Sequence, residues 1–534
     1  MAATEMDSAD VNDARPADSA ADVNATGTSD GRPARAPRPG LLGLSRGRTV
    51  FAALIPVMLL VALLSWAFAS PVGASPDEDY HLGSIWCAQG DRAGFCESTA
   101  DPGVKLVPAA VTKAAKCYAF NTQKSGACPA AGTQKLEASK RGTFNDHGYP
   151  PVFYVTMSVF VSHHTATSVL AMRAFNALLF VGLLTALFLL LSPRRRPLVL
   201  WGGIIALVPF GMFIIPSVNP SGWAATSAVT LWLCLVGFYE AETRGRTIAL
   251  GALATVATVM GAGARSDAAT YSVLAMIVVA LLKAERTRSF WMRSILTLVL
   301  AIVCVIFFLT GSQGGVINPE TATPLSGHQT LALAVGNLLQ LPTLWVGTLG
   351  TWGLGWLDTL MPGIVWMPST TLVAGVAFGA LRKAPLRKAL AVGLVGMALV
   401  AVPLYVLVHD RVMVGTGVQP RYIYPLILLF VGVCLWGIRR LGLGLSGFQL
   451  ILIVGGLWLA NHVALFTNLR RYVTGTLAQG LNLDAGDTWW WALPFGPIWV
   501  WIIGSFAFFA MLAAAAVVAW PVGTFGLNRR RTLA

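Results

Sequence analysis

Long blocks of apolar residues constrain this chain more than any other feature of its sequence. Several approach the ~20 residues that a helix needs to cross a bilayer. Charged residues make up only 12% of the 534 residues, whereas roughly a quarter is usual in a soluble globular protein. We therefore exclude that class and predict an all-α polytopic membrane protein with about twelve transmembrane helices. The apolar blocks lie at 49–70, 166–191, 198–216, 221–239, 248–263, 268–282, 290–310, 363–381, 388–408, 421–438, 447–467 and 494–520.

The positions of the basic residues predict how the chain is oriented in the membrane. Lys and Arg concentrate in short cytoplasmic connections, and a cytoplasmic N-terminus followed by twelve crossings places every basic run there. The formal charge of +14 is then explained by topology and not by nucleic-acid binding. We expect a multi-pass membrane protein with both termini in the cytoplasm. The basic runs are Arg194–Arg196, Arg244 with Arg246, Lys283 with Arg286 and Arg288, Arg382 with Lys383, Arg387 with Lys388, Arg439–Arg440 and Arg529–Arg531.

This topology divides the chain into a tail, a membrane domain and outer loops. Residues 1–48 are polar and contain no apolar run, so they are predicted to form a disordered cytoplasmic tail. The polytopic domain is expected over 49–527 and a cytoplasmic C-terminus over 528–534. The outer side receives a large loop at 71–150 and a second at 311–362, which is predicted to hold a re-entrant or amphipathic interfacial helix.

The cysteines indicate that the large outer loop is braced. Four of the seven lie in it, namely Cys87, Cys96, Cys117 and Cys128. In an oxidising compartment they predict two disulfides, with three connectivities possible. A zinc site is the alternative, but the spacing lacks the short Cys-x-x-Cys pairs that such sites favour. The others, predicted to be packing residues inside apolar blocks, are Cys234, Cys304 and Cys434.

An acidic turn, Ser75 to His81, directly follows the first apolar block. If a helix starts after Pro76, Asp77 and His81 share one face, and Glu78 lies beside His81. Adjacent carboxylates raise one another's pKa, which suits a general base. With His81 they are also candidate ligands for a divalent cation such as Mg²⁺ or Mn²⁺. A helix N-cap with dipole-complementing carboxylates is the alternative, and it is the role expected for the third one, Asp79.

Further polar residues interrupt the apolar blocks, where charge is costly and therefore indicates function. In the predicted topology they all fall in the outer half of the membrane. They describe a polar cavity open to the outside, whose arginines suit a phosphate group. Neutralisation of Arg265 by Asp267 and snorkelling of Arg421 are the alternatives. The predicted phosphate- or substrate-binding residues are Arg173, Asn219, Arg265, Asp267, Gln419, Arg421 and Tyr422.

The segment His147 to Tyr154 brings the outer loop back to the membrane. Its paired prolines, Pro150 and Pro151, force an extended approach before an interfacial helix predicted at about 152–163. Aromatic residues in such positions are usually interfacial anchors. Carbohydrate stacking is the alternative, which makes His147 and Tyr154 candidate substrate-binding residues.

These motifs support a family resemblance. Pro76 to His81 resembles the PDExxH signature of a bacterial family of predicted membrane proteins of unknown function. Shorter motifs follow in the family's order, at Pro150–Tyr154, Asn219–Pro220 and Gln419–Tyr422, so the resemblance extends over about residues 70–460. That family is similar in plan to the GT-C glycosyltransferases, which are polytopic enzymes with an acidic motif in the first outer loop and a polyprenyl-phosphate-linked sugar as donor.

The resemblance implies a location in the bacterial plasma membrane. It also implies transfer of a hexosyl or pentosyl group to a glycan or lipid acceptor of the cell envelope, on the extracytoplasmic face. It implies that Asp77 or Glu78 activates the acceptor while arginines hold the lipid phosphate; direct displacement predicts inversion. GT-C enzymes often have a sizeable soluble C-terminal domain, whereas this chain ends soon after its last apolar block. Acceptor recognition is therefore expected from the loops 71–150 and 311–362.

A transporter or flippase of a lipid-linked saccharide is the main alternative function. It would use the same arginines without a base, but alternating access places polar residues in both halves of the membrane and often leaves inverted repeats. Here the polar residues favour one half, and we find no internal repeat. A non-catalytic assembly scaffold would tolerate substitutions over 77–81, and an ion channel is disfavoured because no filter-like segment occurs.

Overall fold

The computed structural model describes residues 46–128, 132–144, 148–311, 325–478, 480–485 and 488–520. The predicted tail over 1–48, except its last three residues, and the predicted C-terminus over 528–534 lie outside the described residues. The described part of the chain is mostly helical, as predicted, and has a small β-sheet in the first loop.

Seventeen α-helices occur in the described residues. The first nine are α1 (Arg46–Phe68), α2 (Glu78–Cys87), α3 (Ala109–Thr112), α4 (Val152–Ser158), α5 (Thr165–Leu190), α6 (Arg196–Ile204), α7 (Phe210–Ile214), α8 (Pro220–Glu240) and α9 (Arg244–Ala262). The others are α10 (Ser266–Lys283), α11 (Arg288–Thr310), α12 (Gly327–Val346), α13 (Gly363–Ala380), α14 (Leu386–His409), α15 (Pro420–Cys434), α16 (Gly447–Val473) and α17 (Pro497–Ala519).

Eleven helices of the described residues are long and apolar enough to cross a membrane, namely α1, α5, α8 to α14, α16 and α17. The helix α8 is the innermost, since its most apolar 18-residue window is 100% buried, against 11% in α11. The outer face of α11 exposes apolar side chains such as Ile295, Leu298 and Ile302. A contiguous apolar surface of this kind is stable in lipid and not in water, so the chain is a polytopic membrane protein, as predicted.

Three apolar blocks differ in detail from continuous spanning helices of the predicted length. The block 198–216 forms two short helices, α6 and α7, which are separated just before α7 by Pro209, a residue without an amide hydrogen. The block 421–438 contains only the 15 residues of α15. Conversely, α9 extends to 19 residues because its helix begins at Arg244, before the apolar block.

The predicted re-entrant region contains a 20-residue helix, α12, followed by a π-helical turn over Gly347–Thr351. Asn337 in the middle of α12 bonds the backbone of residues 412 and 414, beyond the end of α14. Trp345 near its end donates to the Leu399 carbonyl, deeper in α14. These contacts make α12 antiparallel to α14, and its re-entrant or interfacial character stays a prediction.

Two disulfides cross-link the first outer loop, as its cysteines predict. Its antiparallel sheet has the order β1 (Glu97–Ser98), β2 (Lys105–Pro108) and β3 (Leu136–Ser139). Of the three connectivities that the sequence allows, the structure has Cys87–Cys96 and Cys117–Cys128. The three remaining cysteines are free and buried, as expected of packing residues.

Candidate functional site

The turn at Asp77 is held by residues distant in sequence. Asp77 has φ 56° and ψ 21° and directly precedes α2, a left-handed conformation that Asp tolerates better than most residues. The carbonyl oxygen of Pro76 accepts hydrogen bonds from Asn219 Nδ2 at 2.8 Å and Arg421 Nη1 at 3.0 Å. These two bonds fix where the Asp77 side chain lies.

The three consecutive carboxylates have different main arginine partners, although Arg141 contacts two of them. The Asp77 Oδ2 atom lies 2.5 Å from Arg421 Nη2, and its Oδ1 lies 3.2 Å from Arg141 Nη2. Glu78 is fully buried against Arg173, with Oε1 and Nη2 3.0 Å apart. Asp79 accepts two bonds from Arg141, at 2.7 and 2.9 Å. Only Asp77 is substantially exposed among the three, at 39% of its side chain.

This separation changes the acid strength expected for Asp77. Burial raises its pKa, but the charge and hydrogen bond of Arg421, with further help from Arg141, lower the pKa from 3.8 to about 2. The prediction that neighbouring carboxylates raise this pKa was therefore wrong. Each acid is paired with a cation instead of facing another acid, and in this state Asp77 is an ionised carboxylate at neutral pH.

Glu78 and Arg173 form a buried ion pair that holds the turn in place. Arg173 also donates to the carbonyl oxygens of Ala67, Ser70 and Pro71, while Glu78 accepts from the Ser75 amide at 2.8 Å. Arg173 is 1% exposed. The contacts therefore tie the end of α1 to α5, and they leave the Arg173 side chain little access to a ligand.

Two other arginines lie close to the Tyr422 ring. The guanidinium carbon of Arg265 is 4.8 Å from the ring centroid and that of Arg421 is 5.0 Å. Arg265 forms two bonds with Asp267, at 2.7 and 2.8 Å, as the neutralisation alternative predicted. In both ion pairs the arginine is buried and the carboxylate is the more exposed partner, at 27% for Asp267.

Four helix N-termini meet at this cluster. The N-cap positions of α2, α8, α10 and α15 are Asp77, Asn219, Arg265 and Gln419. Asn219 caps α8 by accepting from the Ser221 amide, and Arg265 contacts the Ser221 hydroxyl at 3.4 Å. The unpaired amide groups of such ends favour anions, so the peptide dipoles add positive potential to that of the arginines.

His81, one helical turn after Asp77, lies among aromatic residues. His81 Nδ1 lies 3.0 Å from the Tyr154 hydroxyl, and the His81 ring contacts Tyr149 edge to face. Burial, with the charges of Arg421 and two other arginines, lowers the pKa of His81 to about 3, although Asp77 acts in the opposite direction. His81 is thus neutral at physiological pH, and Tyr154 is a partner of this ring.

The residues proposed as metal ligands do not fit a metal ion. Glu78 faces Arg173, and His81 directs Nδ1 to Tyr154. Within the described ranges, no three side chains of His, Cys, Asp or Glu are grouped so as to hold a metal. We therefore assign no chemical step to a divalent cation, and a requirement for Mg²⁺ or Mn²⁺ stays a prediction.

The structure thus brings together most of the residues singled out in the sequence. Gln419 lies at the start of α15, where its Oε1 is buried and has no hydrogen-bond partner in the described part of the chain. His147 lies outside the described residues. Arg141 and Tyr149 were missed: Arg141 is one of many basic residues in a polar loop, whereas Tyr149 belongs to the quoted aromatic motif and could have been chosen from it.

A second buried ion pair, which the sequence did not predict, connects the outer loops to α16. Arg471 of α16 lies 2.7 Å from Asp358, and their side chains are 0% and 7% exposed. Arg471 also donates to the carbonyl oxygens of Tyr118 and Lys124 in the first loop. Both outer loops are therefore anchored to α16 by a single guanidinium group.

The fold and this cluster define a polytopic membrane protein with an arginine-rich polar site where several helices begin. A family model described as "Predicted membrane protein (DUF2142)" matches residues 59–430, more than half of the chain, and the chain belongs to this family. The match confirms the family resemblance seen in the motifs. None of the curated proteins matches the chain in sequence. Among solved structures, ArnT from Cupriavidus metallidurans bound to undecaprenyl phosphate is similar, with 14% identity, a TM-score of 0.40, and coverage of 88% of this chain and 76% of that one.

Proposed function

We propose that the protein is a glycosyltransferase that moves a sugar from a polyprenyl-phosphate donor to a cell-envelope acceptor on the extracytoplasmic face. One observation carries this proposal: a partly exposed carboxylate, Asp77, is hydrogen-bonded to an arginine at a site with a second arginine and four helix N-termini. A base beside a phosphate-binding environment is what sugar transfer from a lipid phosphate requires.

Asp77 is the proposed base in preference to Glu78. Glu78 is fully buried against Arg173, whereas 39% of the Asp77 side chain is exposed. With a pKa of about 2, Asp77 is a weak base as long as Arg421 is bound to it. A donor phosphate that binds the Arg421 guanidinium would leave this partly buried carboxylate without its main counter-ion, which raises its pKa. Donor binding would thereby activate the base.

The chemical step follows from these roles. Asp77 accepts the proton of an acceptor hydroxyl, and the oxygen attacks the anomeric carbon from the face opposite the phosphate. The bond between the anomeric carbon and the phosphate oxygen breaks, and polyprenyl phosphate leaves with the electron pair. Arg421 and Arg265 stabilise the negative charge that develops on that oxygen. The product is a glycoside of inverted configuration, and Asp77 then releases its proton to water.

Asn219 and Arg173 are proposed to position the site without touching the substrate. Asn219 holds the Pro76 carbonyl from the cap of α8, and Arg173 holds Glu78 one residue beyond Asp77. Tyr154 orients the His81 ring beside Asp77. Each therefore acts through the geometry of the turn.

The test is release of polyprenyl phosphate by the purified full-length protein, supplied with polyprenyl-phosphate-linked hexoses and pentoses and a crude cell-envelope acceptor. Wild-type protein should release the lipid phosphate, and Asp77→Asn should lower the rate by about 10²–10⁴-fold, the usual contribution of a general base. The matched control is Asp91→Asn, the same change at an exposed residue of the same loop.

Equal rates in Asp77→Asn and wild-type protein would overturn the assignment of the base. The transporter or flippase alternative predicts a different result in proteoliposomes. There the labelled lipid would become accessible from the opposite leaflet with its sugar still attached, and Asp77→Asn would leave that movement intact.

A further inference from the structure

A second polar site lies at the far end of the same helices. The helices α8, α10 and α15 begin at the Asp77 cluster, and their opposite ends contribute to the lining of a cavity of about 1110 Å³. The 21 residues of α8 span roughly 30 Å, about the thickness of the hydrocarbon core of a bilayer. The cavity is therefore separate from the site around Asp77.

The charge of this cavity is strongly positive. Its lining has seven basic residues but only two acidic ones. The Glu240 carboxylate is shared by Arg195, at 2.6 Å, and Lys283, at 3.1 Å. Among the described residues, five lining cations have no carboxylate partner, namely Arg194, Arg382, Lys383, Lys388 and Arg439. Such an excess of cations around one volume favours an anionic ligand.

Part of the lining is held in place. The Arg195 guanidinium lies 3.8 Å from the Trp436 ring centroid and makes further bonds of 3.0 and 3.2 Å to Glu240 through Nε. The Lys388 ammonium donates to the Ala380 carbonyl at 2.7 Å, and the residue is 1% exposed. Cations fixed in this way lose little side-chain freedom when an anion binds.

Topology alone explains why basic residues occur on this side, but not why they surround a cavity. The same helix ends carry exposed arginines that do not line it, among them Arg244, Arg286, Arg387 and Arg440. We propose that the cavity binds a phosphate group, presented by the headgroup of an anionic lipid or by a soluble phosphate. Arginine and lysine both bind phosphate, and basic pockets between membrane helices suit lipid headgroups. This site is independent of the activity proposed above.

The test uses full-length protein in phosphatidylcholine nanodiscs, titrated with phosphatidylglycerol or, in a separate arm, with inorganic phosphate. Bound ligand is counted by native mass spectrometry for the lipid and with ³²P for phosphate. The variant Arg194→Gln/Arg382→Gln/Lys383→Gln/Arg439→Gln should weaken binding at least tenfold. The control variant Arg244→Gln/Arg286→Gln/Arg387→Gln/Arg440→Gln removes the same charge from the same side and should bind like wild type.

The two arms identify the source of the phosphate. Saturable binding of phosphatidylglycerol that only the cavity variant loses supports a lipid headgroup, and the same pattern with inorganic phosphate supports a soluble ligand. Absence of saturable binding in both arms would overturn the proposal. Equal losses in the two quadruple variants would also overturn it, since they would reflect general charge and not the cavity.

Discussion

At the scale of single residues, the chemistry of Asp77 is set by Arg421. The two side chains are 2.5 Å apart, and the pKa of Asp77 is about 2 although burial acts to raise it. Because the folded-state pKa lies below the unfolded value, ionised Asp77 stabilises the fold above about pH 3.8, and this contribution is lost as the pH falls towards 2.

Replacing Arg421 by Gln should raise the pKa of Asp77 above 3.8, since burial would then be opposed only by the smaller effects of His81 and Arg141. The shift can be measured as the pH dependence of the Asp77 carboxylate band in infrared difference spectra, assigned with Asp77→Asn. Arg141→Gln is the control: it removes a more distant, half-exposed cation and should raise the pKa less. An unchanged pKa in Arg421→Gln would contradict this account.

The charged residues of the site could be predicted from the sequence only where their neighbours in the chain are apolar. Arg173, Arg265 and Arg421 stand out because lipid makes a charge costly inside an apolar block. Arg141 lies in a loop rich in lysine and arginine, where one more cation carries no signal. The separate partners of the three carboxylates depend on the left-handed conformation of Asp77, which no local sequence pattern specifies.

At the scale of helices and loops, the buried pair Arg471–Asp358 connects α16 with both outer loops. A buried charge whose partner is removed keeps its desolvation cost without the compensating attraction. Asp358→Asn should therefore destabilise the protein by about 3–5 kcal/mol, seen as a lower Tm in detergent.

The double variant Arg471→Met/Asp358→Leu should recover part of that loss, because no unpaired charge remains buried. The exposed loop pair Lys105–Asp91 provides the control, and Asp91→Asn should change Tm little. If Asp358→Asn proves as mild as Asp91→Asn, the pair does not anchor the loops.

The helices themselves were largely predictable, since block length and hydrophobicity alone determine whether a segment can span lipid. The exceptions have local causes that hydropathy does not measure. Pro209 lies in the break between α6 and α7, and α9 gains its length from polar residues before its apolar block. The three-stranded sheet has strands of two to four residues, too short to leave a periodic pattern.

At the scale of the whole molecule, the predicted topology places the Asp77 cluster outside and the basic cavity inside. Cysteine accessibility tests this, because the native cysteines are either in disulfides or buried in the described structure. A membrane-impermeant maleimide applied to intact cells should label Gly415→Cys, between α14 and α15, and should label Glu285→Cys, between α10 and α11, only after lysis. The opposite labelling pattern would show that the predicted topology is inverted.

The bond between Arg421 and Asp77 also has a consequence for how the protein is made. The two residues are 344 positions apart in the chain. At about 5–20 residues per second, the ribosome needs roughly 20–70 s to reach Arg421 after Asp77. During that time the acidic turn has been synthesised while its main counter-ion does not yet exist. The site is therefore completed late in synthesis, when α15 joins helices that are already in the membrane.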